Sequence, residues 1–112
     1  MDKIVHFEIP GDDREKVGKF YQEIFGWHLI PMPQMEYTII HTGPTDDQTG
    51  MSKEVGFING GFFKRTGERQ NPTLVIDVKS IDETVKKIEA NGGKIIEPKM
   101  PVGDMGFVAY FK

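Results

Sequence analysis

The sequence predicts an α+β domain. Three observations carry this reading: two amphipathic helical stripes with capping signals, many short alternating segments set off by glycine and proline, and an order of elements that starts twice. The chain has 112 residues, of which 38% are apolar, with 13 glycines and seven prolines. That length suits one domain, able to bury roughly two-thirds of the surface exposed by the unfolded chain.

The segment from Lys3 to Ile9 alternates, with Val5, Phe7 and Ile9 on one face and Ile4, His6 and Glu8 on the other, as a half-buried strand requires. A helix follows in GDDREKVGKFYQEIFG. Val17, Phe20, Tyr21, Ile24 and Phe25 recur at three and four and are expected to form its buried stripe. Asp12 or Asp13 can cap its start, and Gly26 suits a left-handed end. Trp27 to Ile30 and Tyr37 to Thr42 read as short strands around a Pro31–Pro33 turn, and the polar stretch from Gly43 to Lys53 reads as a mobile loop. Glu54 to Lys64 reads as a strand interrupted by Gly60 and Gly61, and residues 65–72 as a charged connector.

The order then begins again. Thr73 to Val78 is a strand, and SIDETVKKIEANGG is a helix with a capping box at Ser80 and Glu83 and an apolar stripe of Ile81, Val85 and Ile88. Lys94 to Ile96 and Met105 to Phe111 complete the strands. The phrases FGWHLIP and NGGKIIEP repeat one local pattern: helix end, glycine, short strand, proline. An internal duplication follows, with module one at 1–64, the connector at 65–72 and module two at 73–112 of a single domain.

Fourteen basic and seventeen acidic residues give a net charge of -3, and no basic run suggests a nucleic-acid partner. No apolar stretch has the length of a membrane span, and MDKIVHFEIP has no secretory apolar core. The absence of cysteine removes thiolate chemistry and disulfides and leaves the cytoplasm as the expected compartment. No phosphate-loop motif surrounds INGGFF, and no nucleophile elbow exists.

VHFEIPGDDREKVGKFYQEIFGW and LVIDVKSIDETVKKIEANGGKIIEPKMPVGDMGFVAYFK resemble the two halves of the vicinal oxygen chelate superfamily, which includes glyoxalase I, extradiol dioxygenases and bleomycin-resistance proteins. The resemblance implies two βαβββ modules forming an incomplete barrel around a ligand cavity. Family chains continue past a phrase like VAYFK into a last strand, so a final strand is expected either beyond Lys112 or from a neighbouring subunit. The first strand of each module has one face on its helix and one on the cavity. This would turn His6 and Glu8 inward, and would set Leu74, Ile76 and Val78 toward the second helix with Thr73, Val75 and Asp77 toward the cavity.

Family enzymes hold one divalent metal at four positions. His6 matches the first; the fourth-strand position falls at Gly60 or Gly61 and the fifth-strand position at Thr73, neither a good ligand. A divalent metal is therefore improbable as a cofactor, and His6 is its one candidate ligand. His6 is otherwise a cavity histidine held by a neighbour's hydrogen bond. Glu8 is the candidate catalytic base, toward a C–H beside a carbonyl, or else a solvated carboxylate at a cavity mouth. Tyr37, Thr73, Asp77 and Tyr110 complete the expected cavity lining, while His28 is read as a surface residue and His41 as a strand-end one. Two functions follow: a lyase or isomerase acting on a small oxygenated metabolite, or a non-catalytic small-molecule binder lined by Trp, Tyr, Phe and Met. A homodimer is possible in either case.

Overall fold

The computed structural model describes residues 1–102 and 106–112. They form a mixed α+β structure in the order β1 (Lys3–Pro10), α1 (Arg14–Phe25), β2 (His28–Met32), β3 (Tyr37–His41), β4 (Asn59–Phe63), β5 (Thr73–Asp77), α2 (Ile81–Ala90), β6 (Ile95–Pro101) and β7 (Phe107–Phe111). The chain divides into two compact units, Lys3–Ile76 and Met1–Asp2 with Asp77–Lys112.

The larger unit is built on a five-stranded sheet in the order β2-β3-β4-β1-β5. β1 and β4 run parallel, while β2–β3 and β3–β4 are antiparallel. The helix signals act as read. Asp13 Oδ1 accepts from the Lys16 backbone N–H at 3.1 Å, and Gly26 closes α1 at φ 73°. Asp12, the other candidate cap, instead accepts from the Arg65 backbone N–H at 3.0 Å.

The stripe of α1 is narrower than its spacing suggests. Phe20, Ile24 and Phe25 are 56, 56 and 59% exposed, and the helix's one buried residue is Gly18, which lies against Leu29. A helix that approaches the sheet through glycine seats its nearest residues and leaves the flank of its stripe outside. Tyr21 is the main anchor. Its ring centre lies 5.4 Å from Phe62 and 5.1 Å from Trp27, and Trp27 is 5.8 Å from Phe7.

β4 spans both glycines without interruption, and all five of its residues are buried. Its position in the sheet explains them. A methyl group on Gly60 would stand 2.5 Å from the Phe7 carbonyl oxygen and 2.6 Å from the Phe7 ring. The Pro31–Pro33 turn is also displaced. Pro31 pairs with Thr38 inside β2, an edge strand where a missing N–H is tolerated, and the chain reverses in a 3-10 turn at Pro33–Met35.

The stretch read as a mobile loop is tied down. The Asn59 side chain donates to Thr45 Oγ1 at 2.9 Å and accepts from the Thr42 backbone N–H at 3.0 Å, and Asp46 Oδ1 accepts from the Gln48 and Thr49 N–H groups. A buried amide must be satisfied, and this one is satisfied by the loop.

In the smaller unit, Ser80 Oγ accepts from the Glu83 backbone N–H at 3.2 Å at the start of α2. α2 packs on β6 and β7, which pair antiparallel, with Ile95 opposite Phe111. β6 is longer than the expected Lys94 to Ile96, and β7 is described from Phe107; Met105, where the sequence begins this strand, lies outside the described residues. In β5, Leu74 and Ile76 are 64 and 46% exposed, whereas Thr73 and Val75 are half-buried.

Gly60→Ala is expected to lower unfolding free energy by about 1–3 kcal/mol, because backbone as well as a ring must shift. Urea denaturation would check this, and an unchanged midpoint would show that β1 and β4 are less closely apposed.

Candidate functional site

Period two places the site. Within this sheet, register partners share a face, so the pairs His6–Asn59, Glu8–Gly61, Gly61–Ile39 and Phe63–Tyr37 put His6, Glu8, Gly61, Phe63 and Tyr37 on one face. The opposite face carries Phe7, Gly60, Phe62 and Ile40 and receives Tyr21 of α1. His6 and Glu8 thus point away from the helix, as their alternation implies.

Tyr37 joins these groups. Its hydroxyl shares a hydrogen bond with His6 Nε2 at 2.9 Å. It reaches there across Gly61, where any Cβ would collide with the phenol oxygen and ring edge. Burial pushes the His6 imidazole below its ordinary range, and the nearby Glu8 carboxylate opposes that shift only in part. The shift favours the neutral ring.

Glu8 is only 5% exposed, and its Oε1 accepts from Arg69 Nη2 at 2.9 Å. Arg69 is supplied by the connector, where the Arg69 N–H donates to the Thr66 carbonyl at 2.8 Å and turns the chain inward. Its guanidinium carbon lies 4.4 Å from the centre of the Phe63 ring. A carboxylate in a sheet core needs a cation, and a planar guanidinium can meet it while stacking on an aromatic face. The sequence reads residues 65–72 only as a charged connector and so misses Arg69; an inward Glu8 is the signal that some cation has to meet it.

Beside these groups is an open hollow of about 330 Å³ lined by Met35, Tyr37, Phe63, Lys64, Thr66 and Arg69, with Gln34 and Glu36 at its rim. Lys64 pairs with Glu36 at 3.3 Å, both exposed. Thr73 Oγ1 donates to the Asn71 carbonyl at 3.1 Å, Asp77 is exposed at the end of β5, and Tyr110 is half-buried on β7 opposite Glu97. Trp27, expected among the aromatic lining of a binder, belongs to the cluster under α1.

The described residues do not fit the family metal. Of the two candidate fourth-strand glycines, Gly61 is the one on the His6 face, and the space a ligand side chain would need there is filled by Tyr37. Among the described residues, no group of three or more His, Cys, Asp and Glu is placed to hold a metal ion. No helix among them is long and apolar enough to cross a membrane.

Arg69→Met should cost about 3–5 kcal/mol of stability, because it leaves Glu8 buried without its guanidinium. The double variant Glu8→Gln/Arg69→Met should recover much of that loss. Urea denaturation of the four proteins measures the coupling, and additive effects would contradict a buried pair.

Comparison with known proteins adds the relationships. Residues 3–43 match the family described as bleomycin resistance protein-like N-terminal. No curated protein matches the chain. Among solved structures, a hypothetical protein from Bacillus halodurans C-125 is 20% identical with a TM-score of 0.62, the match covering 99% of this chain and 84% of that one. Methylmalonyl-CoA epimerase in complex with methylmalonyl-CoA and ammonium is 13% identical with a TM-score of 0.61, covering 100% and 85%. The Streptomyces coelicolor epimerase with 2-nitronate-propionyl-CoA is 13% identical with a TM-score of 0.59, covering 98% and 86%. At these identities the structural likeness is one of fold, and the family match is confined to residues 3–43.

Proposed function

We propose that the chain binds a small oxygenated organic molecule in the hollow beside Tyr37, without a metal held through His6. One observation carries this reading: Tyr37 occupies both the space over Gly61 and the His6 Nε2 position. The walls supply what such a ligand needs. Phe63 and Met35 offer apolar and aromatic surface, and Tyr37, Thr66 and Arg69 offer hydrogen-bonding groups. The nearby charges largely pair among themselves, Glu8 with Arg69 and Glu36 with Lys64, which favours a ligand of low net charge. The hollow belongs, in this proposal, to one domain of two βαβββ modules around an incomplete barrel. The cysteine-free composition keeps the cytoplasm as the proposed compartment. A homodimer is proposed through β5, an edge strand with Leu74 and Ile76 exposed.

A second reading, an isomerase or lyase, draws on Glu8, a buried carboxylate two residues from His6 on the same face. Glu8 would take a proton from a carbon beside a carbonyl while Arg69 and Tyr37 hold the developing oxyanion. In this reading Arg69 must move from the carboxylate to the substrate.

Elemental analysis of the purified chain, followed by a thermal-shift screen with bleomycin, methylmalonyl-CoA and small hydroxy and oxo acids, separates the readings. We expect a ligand that stabilises the protein in the presence of chelator, and about tenfold weaker binding in Tyr37→Phe. Binding that requires a divalent metal and is abolished in His6→Ala would overturn the proposal. Turnover lost in Glu8→Gln would favour the second reading.

A further inference from the structure

His28 and His41 stand apart from the hollow. They are direct partners in the antiparallel register of β2 and β3, and so project from the same face of the sheet. Their ring centres are 5.8 Å apart, with the planes inclined at 42°. Two imidazoles ligating one zinc ion, with each nitrogen about 2.0–2.1 Å away, bring their ring centres to about 5–6 Å. The pair already has this separation. Along β3, His41 is four residues from Tyr37, a distance of about 13 Å.

We infer that His28 and His41 form a cross-strand site for a borderline divalent transition-metal ion such as Zn²⁺, Ni²⁺ or Cu²⁺. Two imidazoles supply the protein ligands, and water fills the remaining positions. The ligand type selects this class, since imidazole suits these ions while Mg²⁺ and Ca²⁺ prefer oxygen. Access needs no opening of the core: His28 is exposed and His41 only half-buried. The structural consequence concerns β2, which ends the sheet. An ion shared by His28 and His41 ties that edge strand to β3 and stabilises the folded state by mass action.

The test is calorimetric titration of the full chain, free of any affinity tag, with Zn²⁺, Ni²⁺, Cu²⁺ and Mg²⁺. We expect one ion per chain, Cu²⁺ bound more tightly than Zn²⁺, and no binding of Mg²⁺. His28→Gln and His41→Gln should each weaken Zn²⁺ binding by roughly tenfold or more and remove the rise in thermal midpoint that Zn²⁺ gives the parent. Both variants should unfold near the parent's midpoint without metal. Should either fail to fold, Cu²⁺ broadening of histidine ring signals in the parent gives a second readout, expected at His28 and His41. The inference is overturned if Zn²⁺ fails to bind at millimolar concentration, if both variants bind it as the parent does, or if the broadening falls on other residues.

Discussion

Two missing side chains organise the larger unit. β4 lies between β1 and β3, and its consecutive glycines face opposite sides of the sheet. On one side Gly60 lets the Phe7 ring and the β1 backbone close in. On the other, Gly61 lets Tyr37 cross the strand and meet His6. Glycine in a strand interior ordinarily weakens it, through chain entropy and lost packing. Here neighbouring aromatic side chains fill the space, and β4 is buried along its whole length. The same two residues fix the packing of the core and the chemistry of the opposite face.

That face then reads as a set of satisfied pairs. His6 has Tyr37, Glu8 has Arg69, and the Arg69 guanidinium also lies over Phe63. In a partly desolvated setting each pair answers a group that would otherwise be costly to bury. A metal centre needs several donors aimed at one empty point. This face instead has donors aimed at one another beside an open hollow, an arrangement suited to holding an organic molecule.

Much of this was legible in the sequence. Strict alternation over Lys3–Ile9 fixes which residues share the His6 face, and Asp13, Gly26 and Ser80 mark helix ends by their own chemistry. The inner limit of α1 was not legible, because Gly18 adds nothing to an apolar stripe yet determines how closely the helix approaches Leu29. Nor was Arg69, whose role depends on a turn that brings residue 69 back to residue 8. Asn59 made the same kind of long-range choice, ordering a polar stretch whose local composition suggested mobility. Short-range periodicity shows where a side chain points; its partner is set by contacts distant in sequence.

The central claim is that Tyr37 closes the His6 nitrogen to any other partner. Nitrogen-15 spectroscopy of the histidine rings, followed through pH and on addition of Mg²⁺ or Mn²⁺, tests it most directly. We expect His6 to remain neutral to a pH below the ordinary imidazole value of about 6.5 and to be unmoved by either ion. A His6 ring that titrates at or above that value, or whose Nε2 shifts or broadens selectively with the ion, would contradict the account.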